Sequence, residues 1–199
     1  MGKLFVLMGK SASGKDAVYR NLLSDGALGL KKIVIYTTRP MRKGEEDGKQ
    51  YRFVSEDDYR ALKDAGKIIE ERAYDTKLGI WRYFTADDGQ IDLAAENDYL
   101  MIATPEAFVS VKAYFGKDAV IPVLINSDDG IRLERALKRE RRQEQPRYDE
   151  MCRRYLADDR DFAPEKLKQA GIERVFQNDD TLENCLMQVK AYIKDGYQS

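Results

Sequence analysis

The amino-acid sequence predicts an α/β fold in three layers, with a parallel central sheet between two layers of helices. Short, nearly continuous apolar runs recur along the chain, as strands buried on both faces require. Helix-start signals stand between those runs. At 199 residues the chain is long enough for one such domain with a sizeable core and small inserted parts.

The first run, Leu4 to Met8, leads into Gly9-Lys10-Ser11-Ala12-Ser13-Gly14-Lys15, and a helix-like segment begins at Asp16. Strand, glycine-rich turn and helix, in that order, are the context of a phosphate-binding loop, and they make the expected fold that of the P-loop NTPases. Gly9 and Gly14 let the backbone bend until successive N–H groups converge on phosphate oxygens. The helix N-terminus adds partial positive charge and Lys15 a full one. The pattern GxxxxGK is complete, but Asp16 stands where a Ser or Thr usually follows as a Mg²⁺ ligand. Taken alone, the same residues also fit a plain strand-to-helix turn carrying a surface lysine.

Further strands are expected at Ile33 to Tyr36, Tyr99 to Ala103, Val120 to Ile125 and Arg174 to Gln177. Thr104-Pro105-Glu106 places a capping hydroxyl, a first-turn proline and an acid in the preferred order, and Asp180-Thr181-Leu182-Glu183 reads as a capping box. In the last helix Leu182, Cys185, Leu186, Val189, Tyr192 and Ile193 share one face and are expected in the core.

Between Thr37 and about Thr85 the texture shifts to short, turn-rich segments, with one clear helix from Ser55 to about Ala65. This reads as a small insertion after the second strand. Arg132 to Arg154 is densely charged, with nine Lys or Arg against five Asp or Glu, and Pro146 divides it into two helical halves. Such a segment reads as a solvated helical pair laced with i,i+4 charge pairs. The interspersed acids argue against a nucleic-acid surface.

Composition removes several chemistries. There is no histidine, so acid, base and electrophilic roles fall to Asp, Glu, Lys, Arg and Tyr. Cys152 and Cys185 have neither metal nor redox spacing and read as thiols of a reducing compartment. The 34 basic and 35 acidic side chains cancel, so net charge points to no partner. No apolar run approaches membrane-spanning length and no signal peptide is visible. Val6 departs from the myristoylation pattern that Met1-Gly2 opens. The expectation is a soluble cytoplasmic protein with no membrane and no nucleic-acid partner.

Thr37-Thr38-Arg39-Pro40-Met41-Arg42 is the second informative stretch. Two arginines three residues apart, held by a proline after a strand, can fork onto one phosphate or form a solvated basic turn. The whole run YTTRPMRKGEEDGKQYRFVSEDDY resembles the signature of the guanylate kinase family. With GKSASGKD before it and Asn178-Asp179-Asp180 near the end, the resemblance covers most of the chain in the right order.

That resemblance implies ATP-dependent phosphorylation of GMP to GDP, with ATP as co-substrate and Mg²⁺ as cofactor. It also implies one domain, with a core (1–36, 86–131, 156–199), an inserted acceptor-binding region (37–85) and a helical lid (132–155). ATP would lie on Gly9, Lys10, Ser11, Ala12, Ser13, Gly14, Lys15 and Asp16, with Asn178 on the adenine side. GMP would meet Arg39, Arg42, Tyr51 and Tyr83 through its phosphate, and Glu70 and Thr85 through its base. Thr104 belongs to the same acceptor set, and Arg135, Arg139 and Arg154 match the lid arginines. Lys15, Arg39 and these three would carry the catalytic charge neutralisation. A phosphate acceptor is already anionic, so transfer needs positioning and neutralisation more than a general base.

The sequence departs from the family at several positions. Asp16 replaces the loop hydroxyl, and its carboxylate beside phosphates calls for an intervening cation, so Asp16 is the expected Mg²⁺ ligand. Ile102 and Thr104 stand where the family has aspartates, Ile35 where a serine is frequent, and Phe84 where a glycine is usual. The segment Tyr74 to Tyr83, with Trp81, is longer than the usual link. Two other readings follow: a kinase of the same fold with a different phosphate-bearing acceptor, or a non-catalytic binding module. Retention of Gly9, Gly14, Lys15 and the lid arginines favours the enzyme.

Overall fold

The structure, a computed structural model, describes residues 1–76 and 79–196. Lys77 and Leu78, inside the long link noted above, lie outside the described residues.

The central sheet is built from β1 (Leu4–Met8), β2 (Lys31–Lys32), β7 (Tyr99–Ile102), β8 (Val120–Asn126) and β9 (Val175–Gln177). All pair in parallel, in the order β2-β7-β1-β8-β9. β1 lies in the middle and is wholly buried, which is why its sequence is an unbroken apolar run. Its side chains alternate between two cores. Leu4, Val6 and Met8 enter one, with Phe108 and Val111 of α3 (Pro105–Phe115) and Ala170 of α6 (Pro164–Ala170). Phe5 and Leu7 enter the other, with Val18 and Leu22 of α1 (Lys15–Ser24) and Cys185, Leu186 and Val189 of α7 (Leu182–Ala191). Helices therefore cover both faces, as expected, and the predicted face of the last helix is buried, continuing through Tyr192 and Ile193.

The strand expected at Ile33 to Tyr36 is instead split between two sheets. The Ile33 N–H still donates to Leu100, but that of Val34 goes to the Gln90 side chain, and the Ile35 carbonyl accepts from Arg52. The chain is leaving the central sheet, and β3 (Tyr36–Thr37) joins a second one. This sheet has the order β4-β3-β6-β5, with β4 (Arg52–Phe53), β5 (Ile68–Thr76) and β6 (Gly79–Ala86). Tyr36, Phe84 and Ala86 meet Tyr59 of α2 (Glu56–Asp64) in a small core of their own. The expected α2 start is present as a full capping box between Ser55 and Asp58. The long antiparallel pair β5–β6 replaces the link of short segments expected there.

Pro146 does separate two helices, α4 (Asp129–Glu140) and α5 (Tyr148–Asp161). They are not a uniformly solvated pair, because Arg132, Ala136 and Glu140 are buried. Spaced four apart, these three form one face of α4, and Arg132 is wholly enclosed.

Candidate active site

The glycine-rich loop joins β1 to α1 at the carboxyl edge of the central sheet, where open α/β sheets place their ligands. The loops after β7, β8 and β9 reach the same edge. Gly14 has φ +89°, and a Cβ there would stand 2.1 Å from Nδ2 of Asn178; at Gly9 a Cβ would stand 2.6 Å from the Ile125 carbonyl oxygen. Both glycines are thus demanded by close approach. Asn178 is buried and donates from Nδ2 to the Ser13 carbonyl at 2.7 Å, so its side chain props the loop from the β9 side.

Within the loop, the Ser13 N–H is used by the Lys10 carbonyl and the Ser11 N–H by Asp158. Among the described residues the N–H groups of Ala12, Gly14, Lys15 and Asp16 have no partner, and neither has the buried Ser13 hydroxyl. Lys15 forms no ion pair among the described residues, and Asp16 is exposed in the first turn of α1. Unfilled donors beside a free ammonium suit polyphosphate oxygens. For a divalent cation the loop offers the single Asp16 carboxylate, and the described residues contain no cluster of three or more acidic, Cys or His ligands. One carboxylate with several phosphate oxygens and waters fits Mg²⁺, which is seldom caged by protein alone.

The second sheet carries the other expected residues. Arg39 is buried and grips Glu45 at two points, Nη1 to Oε2 at 3.0 Å and Nη2 to Oε1 at 2.8 Å, while Nη1 also donates to the Pro40 carbonyl. Burial opposes the charge on Arg39, but Glu45 and Tyr83 outweigh it and hold the guanidinium pKa above its usual value. Glu45 in turn accepts from the Arg42 N–H at 2.7 Å. Tyr51 stacks edge-on against Tyr83, its ring 5.5 Å from the Arg39 guanidinium. Burial, then Tyr83, pushes the Tyr51 phenol up. Arg39, Tyr51 and Tyr83 therefore form one cluster, with Arg42 exposed at its edge.

Glu70 and Thr85 face each other across β5 and β6, the Thr85 hydroxyl donating to Oε1 at 2.8 Å. Arg72 also pairs with Glu70, Nε to Oε2 at 3.2 Å. The positions that depart from the family pattern have packing roles: Thr104 caps α3, accepting from the Ala107 N–H, while Ile35 and Ile102 pack against the two cores.

Of the three lid positions, Arg135 alone touches the loop's supports, donating to the Ser127 hydroxyl and the Asn178 carbonyl, each at 2.9 Å. Arg139 is exposed and Arg154 pairs with Glu150 on its own helix. The sequence reading missed Glu45, Arg72, Arg132 and Asp158. The i,i+4 spacing of Arg132, Ala136 and Glu140 was the available signal for Arg132; nothing local marks Asp158.

Fold and loop together define a P-loop α/β protein with an inserted, arginine- and tyrosine-lined second sheet. Residues 1–80 match the sequence model of the family described as Guanylate kinase. Curated relatives named guanylate kinase include those of Rhodopseudomonas palustris and Rhodococcus jostii, 44% and 45% identical over 69 residues, 35% of this chain in each case. These matches span 31% and 33% of the relatives' lengths, so about a third of each is covered. A third, from Paraburkholderia xenovorans, is 31% identical over 157 residues, covering 78% of this chain and 65% of the relative. The crystal structure of guanylate kinase from Anaplasma phagocytophilum shares the fold, with a TM-score of 0.67 at 18% identity, covering 100% of this chain and 87% of that one. The first 80 residues thus carry the guanylate kinase pattern, and similarity to a guanylate kinase extends over 157 residues of the chain.

Proposed function

We propose that this chain transfers the γ-phosphoryl group of ATP to GMP, yielding ADP and GDP. The single observation that carries the reading is the loop whose open N–H groups and Lys15 ammonium have no partner among the described residues, on a chain that also holds the Arg39–Tyr51–Tyr83 cluster and the Glu70–Thr85 pair. ATP phosphates would take the N–H groups of Ala12, Gly14, Lys15 and Asp16, with Lys15 neutralising charge at the β/γ bridge. Asp16 would hold Mg²⁺, directly or through water, and the cation would offset the charge of the phosphates beside it.

Arg39 would present the acceptor phosphate in line. Its plane is set by Glu45 and Pro40 before any ligand arrives, so little ordering is left to the moment of binding. Arg42, Tyr51 and Tyr83 would complete that clamp. Glu70 would accept from guanine N1–H and the exocyclic amine, and the Thr85 hydroxyl would meet O6. Helices α4 and α5 would form the lid, Arg135 entering with Arg139 and Arg154 as closure excludes water. Asn178 would act on the adenine side through the backbone it supports. No helix among the described residues is long and apolar enough to cross a membrane, and the proposed site of action is the cytoplasm.

The test is ADP release with ATP and Mg²⁺ against GMP, dGMP, AMP, CMP and UMP. Rapid turnover with the guanine nucleotides alone is expected. Preference for another nucleotide would move the acceptor assignment, and ATP binding without turnover on any of them would leave a binding module.

A further inference from the structure

Arg132 is the largest wholly buried side chain among the described residues, and it stands outside the set that would meet the two nucleotides. It lies on α4 with its ring-stacking partner Tyr155 on α5, 4.6 Å from the ring centre, and it is ringed by Asp129, Asp158 at 3.5 Å and Asp159 at 3.8 Å. Its Nε donates at 3.1 Å to the carbonyl oxygen of Ser11, at the tip of the glycine-rich loop. The N–H of that same residue donates at 2.6 Å to Oδ2 of Asp158. Ser11 is therefore held from both of its backbone polar groups by two side chains that also pair with each other. The next residue, Ala12, has φ +63°, a left-handed conformation that a residue with a Cβ keeps only where its surroundings over-determine it. Its own N–H and those of Gly14, Lys15 and Asp16 are the open ones among the described residues.

Lys10 draws the loop toward the same helices, pairing with Asp159 at 2.7 Å and Asp129 at 3.6 Å. These side chains are committed to the loop's scaffold, while Lys15 forms no ion pair among the described residues.

We infer that Arg132 and Asp158 are positioning residues for the nucleotide's phosphates: by gripping the backbone of Ser11 they hold Ala12 left-handed and keep the following N–H groups pointed at one centre. The inference rests on the reading of the loop as the ATP site, and Asp158 acts through Ser11 without touching substrate. The grip also makes α4 and α5 part of the loop's own support.

The direct test measures ATP and GMP dissociation constants separately by calorimetry, for the wild-type chain, Asp158→Ala and Asp158→Asn, with thermal melting to confirm folding. Asp158→Ala removes a charge-assisted acceptor and is expected to weaken ATP by about tenfold while leaving GMP unchanged. Asp158→Asn keeps an acceptor oxygen for the Ser11 N–H and should recover most of that loss, which a merely structural role would not produce. Unchanged ATP affinity in Asp158→Ala, or an equal loss for both nucleotides, overturns the inference.

Amide exchange in the wild-type chain adds a test independent of any variant. The Ser11 amide should be protected and the Ala12 amide not, and equal exchange at the two overturns the grip. A wild-type chain that binds ATP without phosphorylating GMP defeats the kinase reading alone. One that binds no ATP defeats both.

Discussion

Thr85 donates its hydroxyl to Oε1 of Glu70 at 2.8 Å, from the directly opposed position on the neighbouring strand, and both side chains are shut off from solvent. The bond fixes the carboxylate's orientation, ready for the base proposed to bind there. Thr85→Val keeps the shape and loses the donor. The KM for GMP should rise about tenfold with the KM for ATP unchanged, since bonds to a charged group contribute about 1.5–3 kcal/mol. A rise confined to ATP would contradict the assignment of this pair to the acceptor base.

Gly14 and Asn178 predict a non-additive pair. Gly14→Ala places a Cβ 2.1 Å from Nδ2 of Asn178 at a left-handed φ and should cost about 2 kcal/mol of stability, with loss of ATP binding. Asn178→Ala alone forfeits the bond to the Ser13 carbonyl, about 1 kcal/mol. In the double variant the clash disappears, so chemical denaturation should give a total smaller than the sum of the singles.

Asp16 sets a charge test. In the proposed site its carboxylate would repel bound phosphates in the absence of Mg²⁺, and would become a ligand with Mg²⁺ present. Asp16→Ala should therefore bind ATP more tightly without the metal and less tightly with it. Titrations in EDTA and in excess Mg²⁺ decide this, and a change of the same sign in both would rule out the metal-ligand role.

Glu45 predicts a pH dependence. Its hydrogen bonds from Arg39, then from the Arg42 backbone, hold its carboxyl below the ordinary value of 4.5. A depressed native pKa stabilises the folded state above pH 4.5, and the contribution fades as pH falls through the lower native value. Glu45→Gln should thus lower the melting temperature at pH 7, with the gap to wild type closing in acid. A gap that stays constant down to pH 3 (roughly a unit below the ordinary carboxylate range) would mean that the pair does not stabilise through charge.

What could be read from sequence was local. The buried run of β1, the two glycines before Lys15, the Ser55 and Thr104 caps and the apolar face of α7 each declare themselves within a few residues, and each is in place. The β5–β6 pair was hidden because Glu70, Glu71, Arg72 and Asp75 interrupt any clean alternation; Glu70 pairs with Arg72 and Glu71 with Lys63. At Ile33 to Tyr36 an apolar run suits either sheet, and only the Gln90 side chain, 56 residues from Val34, shows where the chain changes partners. Arg132 looked like one more surface arginine because the carbonyl it serves lies 121 residues earlier. Functional residues that depend on such distant contacts leave little trace in a local pattern.

The prop between Asn178 and Ser13 joins residues 165 positions apart. A ribosome releases the chain from its N-terminus, and elements fold as they emerge. The glycine-rich loop is made long before β9, yet its last support arrives only with that strand, after α4 and α5 have supplied Arg132 and Asp158. Competence of the loop is thus a late event in synthesis: a nascent chain stalled before residue 178 carries the complete GxxxxGK pattern without the side chain that braces it.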